Sequence, residues 1–283
     1  MRQVSVDGIT LESPTWTDQA MKTLVVNPLA NYLIPRKVLK WAVKKSQSGV
    51  LLHSIQEPGG WRSMRAAYED GEPADTLDQW VRKYGSFPMG LRNRKRVVEH
   101  VLSGMLSRTT GRVNIISIGS GMGANILEPM SQAKNREVQA YCIDLAHDAF
   151  EHGRELCRVY GICDRVHYIH GDANNVAELV KVRPDIVAML GIIEYLTDEQ
   201  VSGILKAMHR VMEVGGSVLV NATRNTSGTD RFLRTMFGLN LYYRGEERVR
   251  RLLERGGFDV VQVRHEPVGI YTILLAEKRR VRG

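Results

Sequence analysis

From residue 113 onward, apolar runs alternate with glycine-containing loops and with helical stretches. This alternation is typical of repeated βα units and predicts a parallel sheet. The last two apolar runs are separated only by residues 266–270, too short for a helical crossover and typical of a hairpin. The predicted fold class is therefore α/β, with a seven-stranded, mostly parallel, doubly wound sheet whose last strand is antiparallel. The predicted strands are Asn114–Ile118, Val138–Asp144, Val166–His170, Ile186–Leu190, Ser217–Asn221, Val260–His265 and Tyr271–Glu277.

Residues 1–110 lack this alternation and contain several helical candidates. Glycine and proline mark loops between them at residues 57–61 and 86–90. We expect residues 1–90 to form a helical lid or accessory segment, and residues 91–283 to form the α/β domain, with residues 224–244 inserted as a lid. The predicted N-terminal helices are Asn31–Lys45, Asp75–Tyr84 and Arg92–Ser107.

A glycine-rich loop, Gly119 to Gly123, follows the first predicted strand of the α/β domain and precedes a helix. Its small residues permit a tight turn and close approach of the backbone to a ligand, and the helix N-terminus favours an anion. The loop also fits the looser dinucleotide-binding pattern, in which Ala124 takes the third small position. By itself it does not choose between cofactors, and a purely structural glycine turn is the alternative.

Asp144 ends the second predicted strand of this domain. A carboxylate at that position can accept hydrogen bonds from both hydroxyls of a ribose, which favours an adenosine-type ligand. The alternative is an N-capping aspartate for the predicted helix at residues 146–160.

Three further features lie at corresponding places along the chain. Asp172 follows the third strand, where it can accept a hydrogen bond from an adenine amino group. A Gly-Ile-Ile-Glu-Tyr-Leu segment begins at Gly191, after the fourth strand. The pair Gly215-Gly216 leads into the fifth strand. With the glycine loop and Asp144, this order resembles the class I S-adenosylmethionine-dependent methyltransferase family over residues 92–278. A nicotinamide-dependent dehydrogenase would not be expected to carry the full series or to end in the hairpin.

The resemblance implies a Rossmann-like domain that binds S-adenosylmethionine across the carboxyl ends of the first, second and fourth strands. It implies that the loop glycines line the methionine part, that Asp144 holds the ribose, and that Asp172 with Ala173 holds the adenine. Many family members carry an acidic residue where this chain has Ser117, which weakens the expected attraction for the methionine ammonium. The cofactor-binding residues implied are Ser117, Gly119, Ser120, Gly121, Asp144, Leu145, Gly171, Asp172, Ala173, Leu190 and Gly191.

Glu194 and Tyr195 are the catalytic candidates, because they follow the fourth strand, where substrate would meet cofactor. Each could instead contact the cofactor or cap a helix. The Asp/Asn-Pro-Pro-aromatic motif of many methyltransferases acting on amino groups is absent at residues 191–194, and the segment from Glu194 to Asp198 resembles the Glu-His-Leu-x-Asp stretch of enzymes acting on small molecules and lipids. A small-molecule acceptor is therefore expected, with an anionic or secondary metabolite among the candidates.

Aromatic side chains are concentrated in the N-terminal segment and in the predicted insertion. They could wall an apolar acceptor pocket, or simply pack among the helices. They include Trp16, Tyr32, Trp41, Trp61, Phe87, Phe232, Phe237, Tyr242 and Tyr243.

Charge and composition add the remaining expectations. The chain of 283 residues has a net charge of +8, with an acidic middle and basic flanks, so an RNA methyltransferase stays as an alternative, although nucleic acid is not the expected partner. A catalytically silent cofactor-binding scaffold is a further alternative. The basic run Arg92 to Arg96 could bind an anion or form a solvated face.

The three cysteines and eight histidines form no persuasive disulfide or metal pattern, so no metal is expected. A cytoplasmic protein without membrane spans is expected, and a homo-oligomer could form.

Overall fold

The computed structural model describes residues 2–69, 71–135, 137–225 and 228–279. Its strands form a two-stranded sheet, β1-β2, and a seven-stranded sheet in the order β5-β4-β3-β6-β7-β9-β8. The strands are β1 (Arg2–Val6), β2 (Ile9–Ser13), β3 (Val113–Ile118), β4 (Val138–Asp144), β5 (Val166–His170), β6 (Ile186–Met189), β7 (Ser217–Thr223), β8 (Phe258–His265) and β9 (Tyr271–Lys278).

The larger sheet confirms the predicted fold class. The pairs β3-β4, β3-β6, β4-β5 and β6-β7 are parallel, and the last strands are antiparallel. All residues of β6 and β7 are buried, which explains why neither strand alternates apolar with polar residues, because strands covered on both faces need no such alternation. The strand bounds predicted from the sequence differ from those observed by two residues or fewer.

The α-helices are α1 (Trp16–Met21), α2 (Arg36–Lys45), α3 (Gly49–Gln56), α4 (Trp61–Tyr68), α5 (Thr76–Tyr84), α6 (Ser86–Leu106), α7 (Ala124–Gln132), α8 (Ala149–Tyr160), α9 (Val176–Leu179), α10 (Asp198–Val211), α11 (Thr229–Phe237) and α12 (Glu246–Arg255). Thr197 caps α10 in a capping box with Gln200. None of the helices in the described ranges is long and apolar enough to cross a membrane.

The N-terminal hairpin was not predicted. Asp7 and Gly8 form its turn with positive φ angles of 52° and 81°, which is the backbone that an Asp-Gly turn favours. The Asp-Gly dipeptide between two short runs of alternating residues is a hairpin signal in the sequence. It was not used, because helices were expected over the first 110 residues.

Two proline-containing segments also differ from their prediction. The prediction of a loop at residues 86–90 is wrong, because α6 begins at Ser86 and Pro88 lies in its first turn, where a missing N–H costs no hydrogen bond. The predicted helix Asn31–Lys45 is divided at Pro35 into a π-helical turn, Leu29–Leu33, and α2.

The chain divides into two compact units. The first, called the helical unit, comprises residues 1–96, 224–241 and 265–271; the second, the sheet unit, comprises residues 97–223, 242–264 and 272–283. The core of the sheet unit packs α10 and α12 on the sheet through Val187, Leu205, Leu252 and Phe258. Whether the helical unit acts as a lid stays a prediction.

The basic run Arg92 to Arg96 is partly buried in the helical unit. Arg92 makes a two-pronged ion pair with Glu12, with N–O distances of 2.7 and 2.6 Å, and Arg96 lies 3.0 Å from the same carboxylate. Asn93 joins the backbone of Glu12 to the buried Glu266, and burial raises the pKa of Glu266. Arg92 therefore pairs within the fold and is not part of a solvated face.

Helix α8 lies directly against the glycine-rich loop. A Cβ placed on Gly153 would overlap the hydroxyl of Tyr168 and lie 2.7 Å from the carbonyl oxygen of Met122. The Tyr168 hydroxyl donates to that same carbonyl over 3.0 Å. Glycine at residue 153 thus sets how closely α8 approaches the loop.

We expect Gly153→Ala to lower the free energy of unfolding by about 1–3 kcal/mol, because the added methyl group overpacks this contact. Gly203→Ala is the matched control, since Gly203 is an exposed helical glycine with nothing within 4 Å of its added Cβ, and it should gain about 0.5–1 kcal/mol. Urea unfolding of both variants measures the difference. Equal stability of the two would contradict the close packing.

Arg244 ties together the chain that follows β6. Its side chain is 2% exposed and donates to the carbonyl oxygens of Ile193 and Leu196, the latter over 2.6 Å, and to Asp198 over 2.7 Å. Burial alone would raise the pKa of Asp198, but the hydrogen bonds from Arg244 and Arg248 outweigh it and hold that pKa below its usual value. Arg244 thereby fixes the path of residues 193–198.

We expect Arg244→Met to lower the free energy of unfolding by about 3 kcal/mol or more, because each of two buried carbonyls that loses its donor costs about 1–3 kcal/mol. Arg248→Met removes the other arginine on Asp198, but its side chain is 55% exposed, so a loss below about 1 kcal/mol is expected. Urea unfolding compares the two, and similar losses would show that Arg244 does not hold this segment.

Candidate functional site

Four adjacent strands, in the order β5-β4-β3-β6, bring their carboxyl ends to one edge of the sheet. The loops after parallel strands all leave from this edge, which is where open α/β sheets bind their ligands. The predicted cofactor and catalytic residues occupy these four strand ends and loops, although they are spread over about 80 residues of sequence.

The loop after β3 is held in a left-handed backbone conformation. Gly119, Gly121 and Gly123 have φ angles of 65°, 52° and 84°, which side-chain-bearing residues rarely adopt. The N–H groups of Gly119 and Ser120 both donate to the carbonyl of Ile143, over 2.9 and 3.1 Å. The glycines are therefore required by the backbone, and the loop is fastened to the end of β4.

Asp144, at the end of β4, accepts backbone hydrogen bonds with both of its carboxylate oxygens. Oδ2 accepts the N–H of Gly121 over 2.6 Å, and Oδ1 accepts the N–H of Ala146 over 2.8 Å. The alternative of an N-cap is wrong, because α8 begins at Ala149 with Asp148 at its N-cap position. Leu145, next in the chain, keeps 63% of its surface exposed.

The segment after β5 contacts the end of β4 at Asp144. The N–H of Gly171 donates to the backbone carbonyl of Asp144 over 3.1 Å. Asp172 caps the short 3-10 turn Ala173–Asn175 by accepting the N–H of Asn174 on Oδ1 over 2.8 Å. Ala173 is buried. Three of the predicted cofactor segments therefore meet through backbone contacts.

Asn221 at the end of β7 holds the fourth segment. Its Oδ1 accepts the N–H of Gly191 over 2.7 Å, and its Nδ2 donates to Glu194 Oε1 over 2.8 Å. Thr223 donates to the same carboxylate oxygen over 2.7 Å. Glu194 and Leu190 are buried, whereas the neighbouring Tyr195 is 41% exposed. Of the two catalytic candidates, Tyr195 thus has the more accessible side chain.

Asn221 and Thr223 were not predicted from the sequence as site residues. The signal was a polar ending, Asn-Ala-Thr, on a strand that is otherwise apolar after Ser217. Asn221 is fully buried, so its amide must find partners within the fold, and they are Gly191 and Glu194 after β6 and Thr223 on its own strand.

Two further features bear on the predicted residues. Ser117 lies within β3, paired with Cys142 and Ala188, and is 7% exposed. A Cβ on Gly119 would lie 2.7 Å from Cβ of Ile192, so the loops after β3 and β6 touch. Among the described residues, no group of three or more His, Cys, Asp or Glu side chains could hold a metal ion.

Comparison with known proteins places this fold. A family model described as Putative methyltransferase matches residues 87–278. No curated protein matches the sequence. Among solved structures, a possible exported protein from Bordetella parapertussis is similar with a TM-score of 0.70 and 14% identity, over 93% of this chain and 96% of that one.

Two further structures are similar at low identity. A magnesium protoporphyrin IX methyltransferase from Synechocystis, with bound S-adenosylhomocysteine, has a TM-score of 0.56 and 14% identity over 90% of this chain and 99% of that one. An N,N-8-amino-8-demethyl-D-riboflavin dimethyltransferase from Streptomyces davawensis has a TM-score of 0.52 and 16% identity over 90% and 77%. The chain therefore belongs to the family of putative methyltransferases and has the fold of class I S-adenosylmethionine-dependent methyltransferases, as the sequence predicted.

Proposed function

We propose that this protein transfers a methyl group from S-adenosylmethionine to a small-molecule acceptor, and that it does so at the carboxyl edge formed by β5, β4, β3 and β6. The observation that carries the proposal is the hydrogen bond that joins the Gly121 N–H to Asp144 Oδ2. It joins a glycine loop suited to close approach by a ligand to a carboxylate suited to a ribose.

The acceptor capacity of Asp144 fits the cofactor. A carboxylate oxygen has about two acceptor sites, and each oxygen of Asp144 uses one of them for a backbone N–H. One site therefore remains on each oxygen, which matches the two hydroxyls of a ribose. Asp172 engages Asn174 through Oδ1, which leaves Oδ2 for the adenine amino group.

The methionine end would lie along the glycine loop, with Gly119, Ser120 and Gly121, and near Leu190 and Gly191. Ser117 supplies no charge for the ammonium group, so backbone dipoles and the loop must do most of the positioning. Leu145 and Gly171, which border Asp144, complete the proposed cofactor set.

When bound, S-adenosylmethionine supplies an electrophilic methyl group on a sulfonium, and its displacement disperses positive charge. The protein's part is to place the acceptor in line and to exclude water. We propose that Glu194 is a positioning residue, since its buried carboxylate holds Asn221 and Thr223 and thereby the Gly191 loop. Tyr195, which is partly exposed, is the better candidate for contact with the acceptor.

A small-molecule acceptor is supported by the similar structures, which include enzymes named for a porphyrin and a flavin derivative. The RNA alternative rests on the basic flanks. The catalytically silent cofactor-binding scaffold stays as a second alternative. Cytoplasmic location and homo-oligomer formation stay predictions.

The direct test is incubation with S-adenosylmethionine carrying an isotopically labelled methyl group and a metabolite extract, followed by mass spectrometry. A labelled small molecule that appears only with active protein is the expected result. Salt-dependent retention on RNA with label in the RNA would favour the RNA alternative. Tight cofactor binding with no labelled product in any fraction would favour the scaffold.

Asp144→Ala should weaken binding of S-adenosylhomocysteine by more than tenfold, because it removes both proposed ribose acceptors and the tie to Gly121. Asp164→Ala is the control, since this exposed aspartate lies in the 3-10 turn before β5, outside the proposed site. Isothermal titration calorimetry measures both, with thermal unfolding to verify that each variant is folded. Unchanged affinity in a folded Asp144→Ala protein would refute the ribose assignment.

A further inference from the structure

The helical unit contains an apolar cavity of about 300 Å³. It lies among helices α2 to α6, the turns at residues 22–33, and α11. Its wall is mostly aliphatic and aromatic, and every lining residue belongs to the helical unit. Representative lining residues are Val43, Leu51, Met64, Trp80, Phe232 and Met236.

The size and lining of this cavity are those of a ligand site. Protein interiors are normally packed so closely that few voids exceed a water molecule, because an unfilled void forfeits contacts on all its walls. Small-molecule sites occupy about 300–1,000 Å³ and are lined mainly by apolar side chains with a few polar groups.

Lys22 supplies the charge in this lining. It is the one charged side chain among the described lining residues, and its ammonium donates to the hydroxyl of Ser86. No carboxylate within the described ranges forms an ion pair with it. Partial burial lowers the pKa of Lys22, as expected for an ammonium that has lost part of its hydration.

A half-buried ammonium with no carboxylate partner among the described residues favours an anionic ligand group, since charge-assisted hydrogen bonds offset the loss of hydration. The remaining lining offers mostly van der Waals contact to an apolar body. The Lys22 ammonium and the apolar wall together favour a molecule with an apolar body and one anionic group.

We propose that the helical unit binds an apolar small molecule with one anionic group, its body filling this cavity and its anionic end paired with Lys22. A medium-chain monocarboxylate has both the size and the charge. Binding in the cavity requires neither the cofactor nor the carboxyl edge of the sheet, so it stands or falls independently of the proposed methyl transfer.

The test uses three probes with the same ten-carbon chain and different ends: decanoate, decanol and decyltrimethylammonium. Each is titrated into the full-length protein without cofactor, below its micelle concentration, by isothermal titration calorimetry. Decanoate should bind at least tenfold more tightly than either of the others. Equal affinity for all three, or no binding of decanoate, would overturn the proposal.

Variants then assign the site. Lys22→Met should weaken decanoate binding at least tenfold and leave decanol binding unchanged, while Lys22→Arg should retain most of the affinity for decanoate. Lys40→Met, an exposed lysine of α2 outside the lining, is the matched control and should bind as the wild type does.

Met236→Trp, which fills the cavity, should abolish binding of both decanoate and decanol. Circular dichroism establishes that this variant is folded; if it does not fold, the comparison of Lys22→Met with Lys40→Met decides alone. Undiminished decanoate binding by Lys22→Met would place the ligand elsewhere and overturn the proposal.

Discussion

The hydrogen bond between the Gly121 N–H and Asp144 Oδ2 is the contact on which the rest of the site depends. Parallel strands fix where their ends lie, but they do not fix the loops that leave them. Asp144 does so by accepting Gly121 on one side and Ala146 on the other, while its own carbonyl accepts Gly171. One residue at one strand end thus orients three backbone segments.

A second anchor lies on the other side of β3, and it is made of side chains that the sheet buries. Asn221, Thr223 and Glu194 join the ends of β7 and β6, and Arg244 fixes the segment that follows. Buried polar groups of this kind must be satisfied within the fold, and here the partners that satisfy them are the loops of the site. Stability and site geometry therefore depend on the same contacts.

The sequence predicted the sheet because its signals are local: apolar runs of strand length, glycines at turns, and a short link between the last two strands. That the cofactor loops share one edge was implied by the resemblance to class I methyltransferases, and parallel strands do end at a common edge. The sequence could not predict the partners of Arg244, which come from residues about 50 positions away, or the pairing of Arg92 with Glu12 across 80 positions. Pairs of residues so far apart along the chain produce no periodic pattern in the sequence.

The role of Asp144 illustrates the same limit. Residue type and position favoured either a ribose acceptor or a helix cap, and only the observed start of α8 at Ala149 excluded the cap. The aromatic residues of the N-terminal segment and of the predicted insertion indicated an apolar pocket, but only some of them line the cavity of the helical unit. Phe87, Phe232 and Phe237 line it, whereas Trp16, Tyr32 and Trp41 remain exposed.

The most direct test of the central claim is a titration of isotopically labelled protein with S-adenosylhomocysteine, followed by NMR of the backbone amides. The amide signals of Gly119, Gly121, Gly171 and Gly191 should shift on binding, while those of Gly161 and Gly203, in the turn after α8 and within α10, should not. Saturable binding that leaves the four site glycines unshifted would contradict the assignment of the cofactor to this edge of the sheet.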